Sequence, residues 1–404
     1  MARRNRLRRN HRVGSPSPPI CTDKPCVAPL TTLRTCLSAS SNRDFASQAK
    51  VPLKMENEVE KMKKLSPVAL VVAFVCICGF AYAHDPSAPQ DKGPFTLKKL
   101  TDDAYVLYGR GGNIGFAVTD EGVVVIDDQF ADLAPGIAEQ IKSVTPRPVR
   151  FLINTHHHGD HTGGNGFFIK MTTIIAHDNV RKHMLEAPQE TIASAPRQIE
   201  GLQSRVDKLE KDDPQSKDLA GLRTQLDTAK KGLESARSMK IADIPAPNIT
   251  FDHEVRLYLG GREVQVFHLK RGHTDGDSII YFPQSKVVHM GDLFFNKVIP
   301  VIDRAHGAST AEWTETIDAV IARVDPACQF IPGHGEVTTA ADLRAFKQYL
   351  LDLRAAVKKA IEQGLTREQA VKDVKLDQYS KHTGYEQRFP GNVGTVYDEM
   401  KEAK

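Results

Sequence analysis

The sequence predicts an α/β fold carrying an inserted helical hairpin, and three observations predict it. The β-branched run Val123-Val124-Val125-Ile126-Asp127 is followed by a helical stretch at 132–144 and a second apolar strand, Pro148 to Asn154; strand, helix and strand with short links mark an α/β arrangement. Strand patterns return after 249: Ile249 to Leu259 alternates, Gly260-Gly261 supplies a hairpin turn, and Val264 to Leu269 follows. Between these regions apolar residues recur at helical spacing, first Ile199, Leu202, Val206 and Leu209, then Leu219, Leu222, Leu226, Ala229, Leu233 and Ala236. With Asp212-Asp213-Pro214 between them, the two runs predict an antiparallel helical hairpin inserted at about 190–240. Three roles stand open for it: a packed surface excursion, a wall over an active site, or a homodimer contact.

The start of the chain reads differently. Residues 1–61 are rich in Arg, Ser and Pro and lack an apolar period. They read as a basic disordered segment, or as an open reading frame begun too far upstream. Met62-Lys63-Lys64, the apolar run Val68 to Phe80 and the small-x-small site Ala81-Tyr82-Ala83 make a secretory signal pattern. This predicts a signal peptide at 62–83, cleavage after Ala83, a mature chain from His84 and a secreted or periplasmic location. An uncleaved anchor competes, since Leu65 to Ala83 is almost long enough to span a bilayer; an Arg-rich transit peptide is a third reading. Residues 84–94 read as a linker, 95–350 as the main domain and 351–404 as a C-terminal helical tail.

Charge and cysteine follow this division. Residues 1–64 carry 14 Lys/Arg against 5 Asp/Glu in a chain of net charge +4, so the remainder is acidic. The basic balance belongs to the leader and gives no ground for a nucleic-acid partner. Of six cysteines only Cys328 follows residue 84. Alone in the apolar run Ala327 to Ile331, it reads as a small core residue.

The remaining elements are short. Ala104 to Tyr108 and Gly115 to Thr119 are strand signals ahead of the run at 123–127. Asp127 ends that run, where its carboxylate serves either to orient a neighbouring loop or to cap the next helix. Residues 172–177 read as a strand ending in His177, placed either behind a site or on the surface. Residues 310–324, 340–363 and 367–374 read as helices. The segment with Tyr379, Tyr385 and Phe389 reads as a cap on the fold.

One heptapeptide concentrates the chemistry: Thr155-His156-His157-His158-Gly159-Asp160-His161, at the end of the strand 148–154. Residues i and i+2 of an extended segment point to one side, so His156 and His158 can share an ion. Gly159 permits a sharp turn, after which Asp160 and His161 can face a second ion. Imidazole and carboxylate at this spacing suit zinc, with iron or manganese also compatible. Three later motifs place further donors at strand ends among glycines: Gly272-His273-Thr274-Asp275-Gly276-Asp277, Val287-Val288-His289-Met290-Gly291-Asp292 and Phe330-Ile331-Pro332-Gly333-His334-Gly335.

In these motifs the sequence resembles the metallo-β-lactamase superfamily, over about residues 100–345. The resemblance implies a four-layer αββα sandwich with metal at one edge. It implies two Zn2+ per chain, the first held by His156, His158 and His273, the second by Asp160, His161 and His334, with Asp292 bridging and His157 outside the ligand set. Such a site implies a hydrolase in which metal-activated hydroxide, oriented by Asp160, attacks an ester, lactone, thioester or lactam carbonyl. Departures from the β-lactamases themselves matter. These usually carry Cys or Ser where this chain has Asp292, and one subclass grips substrate with a Lys where this chain has Phe295. The bridging Asp is similar to that of hydroxyacylglutathione hydrolases, whose cytosolic substrate does not suit an exported chain. An iron-dependent sulfur oxidation enzyme of this fold, and a periplasmic binding or assembly factor using the hairpin, are the competing readings. The expected partner is a small-molecule substrate, with no nucleic acid and no stable membrane association after signal cleavage. Specificity is expected in the loops at 110–115, 180–245 and 296–308.

Overall fold

The computed structural model describes residues 95–402; the basic segment 1–61, the expected signal peptide 62–83 and the expected linker 84–94 lie outside the described residues. Seven strands form one sheet in chain order: β1 Thr96–Lys99, β2 Ala104–Tyr108, β3 Ile114–Thr119, β4 Gly122–Ile126, β5 Val149–Ile153, β6 Thr173–His177 and β7 Ile249–Phe251. The first four are antiparallel, whereas β4 to β7 run parallel. Parallel neighbours need crossovers. Helix α1 Ala134–Val144 makes the first, and the short helices α2 Gly159–Thr162 and α3 Asn165–Phe168 make the second. Helices α4 Asp178–Asp212 and α5 Asp218–Ser238 make the third. The inserted hairpin is therefore the β6–β7 crossover drawn out, and its first helix begins at Asp178, well ahead of 190.

The second sheet has strand order β13-β12-β11-β10-β9-β8. It comprises β8 Glu254–Leu259, β9 Arg262–Phe267, β10 Ile279–Phe282, β11 Val287–His289, β12 Gln329–Ile331 and β13 Thr338–Thr339. Only β11 and β12 pair in parallel, with α6 Thr310–Arg323 crossing between them; α7 Ala340–Glu362, α8 Arg367–Asp373 and α9 Tyr385–Glu402 follow. The stretch 249–259, which alternates as one strand, is two. It breaks at Asp252-His253, where the chain leaves the first sheet for the second. The β8–β9 turn has positive φ at both Gly260 (54°) and Gly261 (74°), the two-residue turn whose twist suits a hairpin.

Period-two alternation sorts the layers. Val124 and Ile126 of β4 join Ile153, Ile175, Val264, Val266, Ile280 and Ile331 in a buried cluster between the sheets. Val123 and Val125 face the other way, onto Ile137, Ile141 and Phe168. On the far face of the second sheet Phe267, Tyr281, Val288 and Phe330 pack against Trp313, Ile317, Leu343 and Leu350. The order is αββα. The tail is more than a cap, since Tyr385, Phe389, Val393 and Val396 of α9 lie inside this outer cluster. Cys328 is buried in the same cluster. No helix among the described residues is long and apolar enough to cross a membrane.

The hairpin has its own core of Leu202, Val206, Leu219, Leu222 and Leu226. A separate cluster of Ala176, Val180, Met184, Ile244 and Ala246 ties its base to the first sheet. Because the two do not merge, replacing 196–240 with a short turn is expected to leave folding and metal content unchanged. Near-ultraviolet circular dichroism and metal analysis check this; loss of the folded signal would make the hairpin part of the core.

Candidate metal centre

The candidate ligands stand at one edge of the sandwich, where strands end. β5 runs into the heptapeptide, β11 into the 3-10 turn Gly291–Leu293 that carries Asp292, and β12 into Gly333-His334. His273 precedes β10. All seven sequence-predicted ligands come together there in two sets.

In the first set, His158 Nδ1 is 2.9 Å from His273 Nε2. Asp292 Oδ2 is 3.5 Å from His273 Nε2 and 3.8 Å from His156 Nε2. In the second set, Asp160 Oδ2 is 3.3 Å from His334 Nε2 and 3.7 Å from His161 Nε2. Asp292 turns its other oxygen to this set: Oδ1 is 3.1 Å from His161 Nε2 and 3.5 Å from His334 Nε2. His156 Nε2, His161 Nε2 and Asp292 Oδ1 are buried and have no hydrogen-bond partner. Buried polar atoms in folded proteins are nearly always satisfied, and here the unsatisfied ones point at one another. Divalent cations fit both sets.

The opposite ring nitrogens are held. His161 Nδ1 donates to Asp127 Oδ2 (2.7 Å), His158 Nε2 to Asp303 Oδ2 (2.9 Å) and His273 Nδ1 to the Val301 carbonyl (2.9 Å). His156 Nδ1 is 3.0 Å from Thr155 Oγ1. Such partners fix the tautomer and leave the inward lone pair free for metal. Asp127 stands with a left-handed φ of 60°. Its carboxylate also accepts from Thr155 N and Thr155 Oγ1, each at 2.8 Å. Helix α1 begins instead after Leu133, with no side-chain cap. Of the two roles open to Asp127, orienting the loop is the one its contacts serve.

Electrostatics divide the two sets. Burial pushes His156 well below the ordinary imidazole range and His273 down to about 4, so both are neutral and able to bind metal. Burial also opposes ionisation of Asp160 and Asp292, but His161 and His334 outweigh it and hold both carboxyls low. Burial likewise opposes charge on His161, yet Asp292, Asp160 and Asp127 raise it well above its ordinary value. A cation entering the second set therefore displaces a proton from His161.

Several residues outside the predicted ligand set position the site or pack beside it. Asn113 donates to the carbonyls of Pro332 (2.9 Å) and Gly335 (2.7 Å), bracketing His334. Asp277 accepts from Thr274 N (2.8 Å) and Oγ1 (2.7 Å) beside His273; burial raises its carboxyl to about 7. Phe295 stacks on His334, with ring centroids 5.4 Å apart. His177 is buried rather than on the surface: it caps α4 by accepting from Asn179 N and packs on His268. His157 belongs to neither ligand set; its ring packs among those of His158, His183 and His306.

A methyl group on Gly333 would collide with Asp292 Oδ1 and the Gly291 backbone. Gly333→Ala is therefore expected to displace the carboxylate and weaken metal binding by about 10–100-fold, the range for residues that support ligands. Zinc affinity measured against a chromophoric chelator checks it.

An αββα sandwich with His and Asp clusters at the ends of its strands defines a metal-binding protein of the hydrolase-fold type. The sequence matches the metallo-beta-lactamase superfamily over residues 107–334, and the chain belongs to that superfamily. Among curated relatives, a metallo-beta-lactamase type 2 from Bacteroides fragilis is 24% identical over 113 residues, 26% of this chain and 45% of that protein. A linear primary-alkylsulfatase from Pseudomonas sp. (strain ATCC 19151) is 18% identical over 287 residues, 68% of this chain and 52% of that protein. The chain thus spans about half, or less, of the length of these relatives. Among solved structures, a stereoselective inverting sec-alkylsulfatase from Pseudomonas sp. shares the fold with a TM-score of 0.53 and 18% identity, over 76% of this chain and 50% of that one.

Proposed function

We propose that the protein is an exported metal-dependent hydrolase with a two-ion centre, zinc by preference, acting on a small ester, lactone, thioester or lactam. The observation that carries this reading is Asp292, whose two oxygens face two separate ligand sets while buried atoms of both sets lack partners. Divalent ions in such a site lower the pKa of a bound water and polarise the electrophile's oxygen. Asp160 is the more exposed of the two carboxylates, at 27% of its side chain against 5% for Asp292. It is the group placed to accept a hydrogen bond from an attacking water or hydroxide and to hold it in line. His156 and His273, kept neutral by burial, supply lone pairs without competing protons. Sulfate monoesters join the substrate classes to be tried, because the alkylsulfatase relative aligns over 68% of the chain. Export is supported by the sequence of 62–83 alone.

The test pairs metal analysis of the full chain with hydrolysis of a chromogenic cephalosporin, a lactone, a thioester and an alkyl sulfate. Zinc in both ligand sets with turnover of one substrate is expected. A single iron, or no metal and no turnover, would move the reading to sulfur oxidation or to a binding factor.

A further inference from the structure

His157 sits inside the ligand heptapeptide yet belongs to neither ligand set. It is 4% exposed, and neither ring nitrogen has a hydrogen-bond partner. Three imidazoles stand against it, with ring centroids 4.5 Å away for His306, 4.7 Å for His158 and 4.8 Å for His183. Asp303 Oδ2 lies 3.8 Å from His157 Nε2 and 2.6 Å from His306 Nδ1. One donor atom from each of His157, Asp303 and His306 falls within 4.8 Å of the others.

We propose that His157, Asp303 and His306 form a further site for a divalent transition metal of the zinc type, beside the two sets already described. Two imidazoles and a carboxylate make a borderline donor set of the kind zinc takes. The surroundings are arranged for ligation. His306 Nε2 is held at 3.2 Å by Glu190 of α4, and His183 Nε2 at 2.7 Å by Asp275; a carboxylate behind an imidazole is the usual means of aiming its other nitrogen at a metal. His183 Nδ1 is itself buried without a hydrogen-bond partner, and its ring walls the site against His157 and His306. A clamp of charged His306 between Asp303 and Glu190 would explain His306, but it leaves both nitrogens of His157 unused. The site is also joined to the first ligand set: the Asp303 oxygen that contacts His306 is the one bonded to His158 Nε2. An ion here would fix the carboxylate that orients His158.

The full chain is stripped with a chelator and dialysed to equilibrium against one fixed free-zinc concentration, beside His157→Asn, His306→Gln and Asp160→Ala. Bound zinc per chain is then measured, with circular dichroism to report folding. A drop of one zinc in the His157→Asn and His306→Gln proteins, with folding retained, is expected. Equal zinc in these two variants and the wild type would overturn the site, whatever the total. The half-buried His306 gives a variant that folds even if the buried His157→Asn does not. Asp160→Ala reports separately on the second ligand set, so failure of the further site and failure of the two-ion reading give different patterns.

Discussion

Asp292→Ala is expected to abolish most turnover and to lower the metal content of the proposed two-ion centre. Among the described residues, Asp292 alone turns its two carboxylate oxygens to different ligand sets, Oδ2 toward His156 and His273, and Oδ1 toward His161 and His334. Its removal leaves Asp160 as the sole carboxylate among the six remaining candidate ligands and removes the anion that two cations would share. Loss of a residue that merely supports a ligand costs about 10–100-fold in metal affinity or activity. A shared ligand should cost more, so kcat/KM is expected to fall by more than about 100-fold, or roughly 2.7 kcal/mol at about 1.36 kcal/mol per tenfold. Asp292→Asn keeps the shape and removes the charge, and should fall between the variant and the wild type. Metal content and hydrolysis are read on the same samples. Full activity with two ions in Asp292→Ala would refute the bridge.

The candidate ligands are legible in the sequence because the fold presents them in a local code. Except for His273, which lies in the loop between β9 and β10, each follows a strand end near glycines, so an apolar run followed by His or Asp marks them without any knowledge of the sheet order. The residues that hold those ligands are not written locally. Asp303 reaches His158 across 145 positions, and Asn113 reaches the Pro332 carbonyl across 219; only the closed sandwich makes them neighbours. The break at Asp252-His253 was hidden for another reason. β8 keeps the alternation of a half-exposed strand, and periodicity reports a face, not which sheet owns it. In the tail, Pro390 and Gly391 mask a helix whose Tyr385, Phe389, Val393 and Val396 keep helical spacing. Packing against α7 overrides the local penalty of a proline inside the helix.

Asp127→Asn separates the tautomer of a ligand from the stability of the fold. In the wild type, Asp127 Oδ1 accepts from Thr155 N, and Oδ2 accepts from Thr155 Oγ1 and His161 Nδ1. An asparagine that keeps the Thr155 N–H bond must place its amide N–H against His161 Nδ1. The wild-type ring can give up its Nε2 proton and keep the one on Nδ1; in the variant Nδ1 becomes an acceptor, and the single proton stays on Nε2, the atom 3.1 Å from Asp292 Oδ1. There the proton makes a hydrogen bond to Asp292 and occupies the lone pair a cation would use. Zinc affinity of the second set is expected to fall by about 10–100-fold, with little change in melting temperature. Asp127→Ala differs. It strands the Thr155 N–H, the Thr155 hydroxyl and the His161 Nδ1–H, buried groups worth about 1–3 kcal/mol each when left unpaired, and should lower the melting temperature as well as the affinity. Chelator competition and thermal melts of the two variants check both. If Asp127→Asn binds zinc as the wild type does, Asp127 serves only to fasten Thr155, and the tautomer of His161 is set by Asp292 and Asp160.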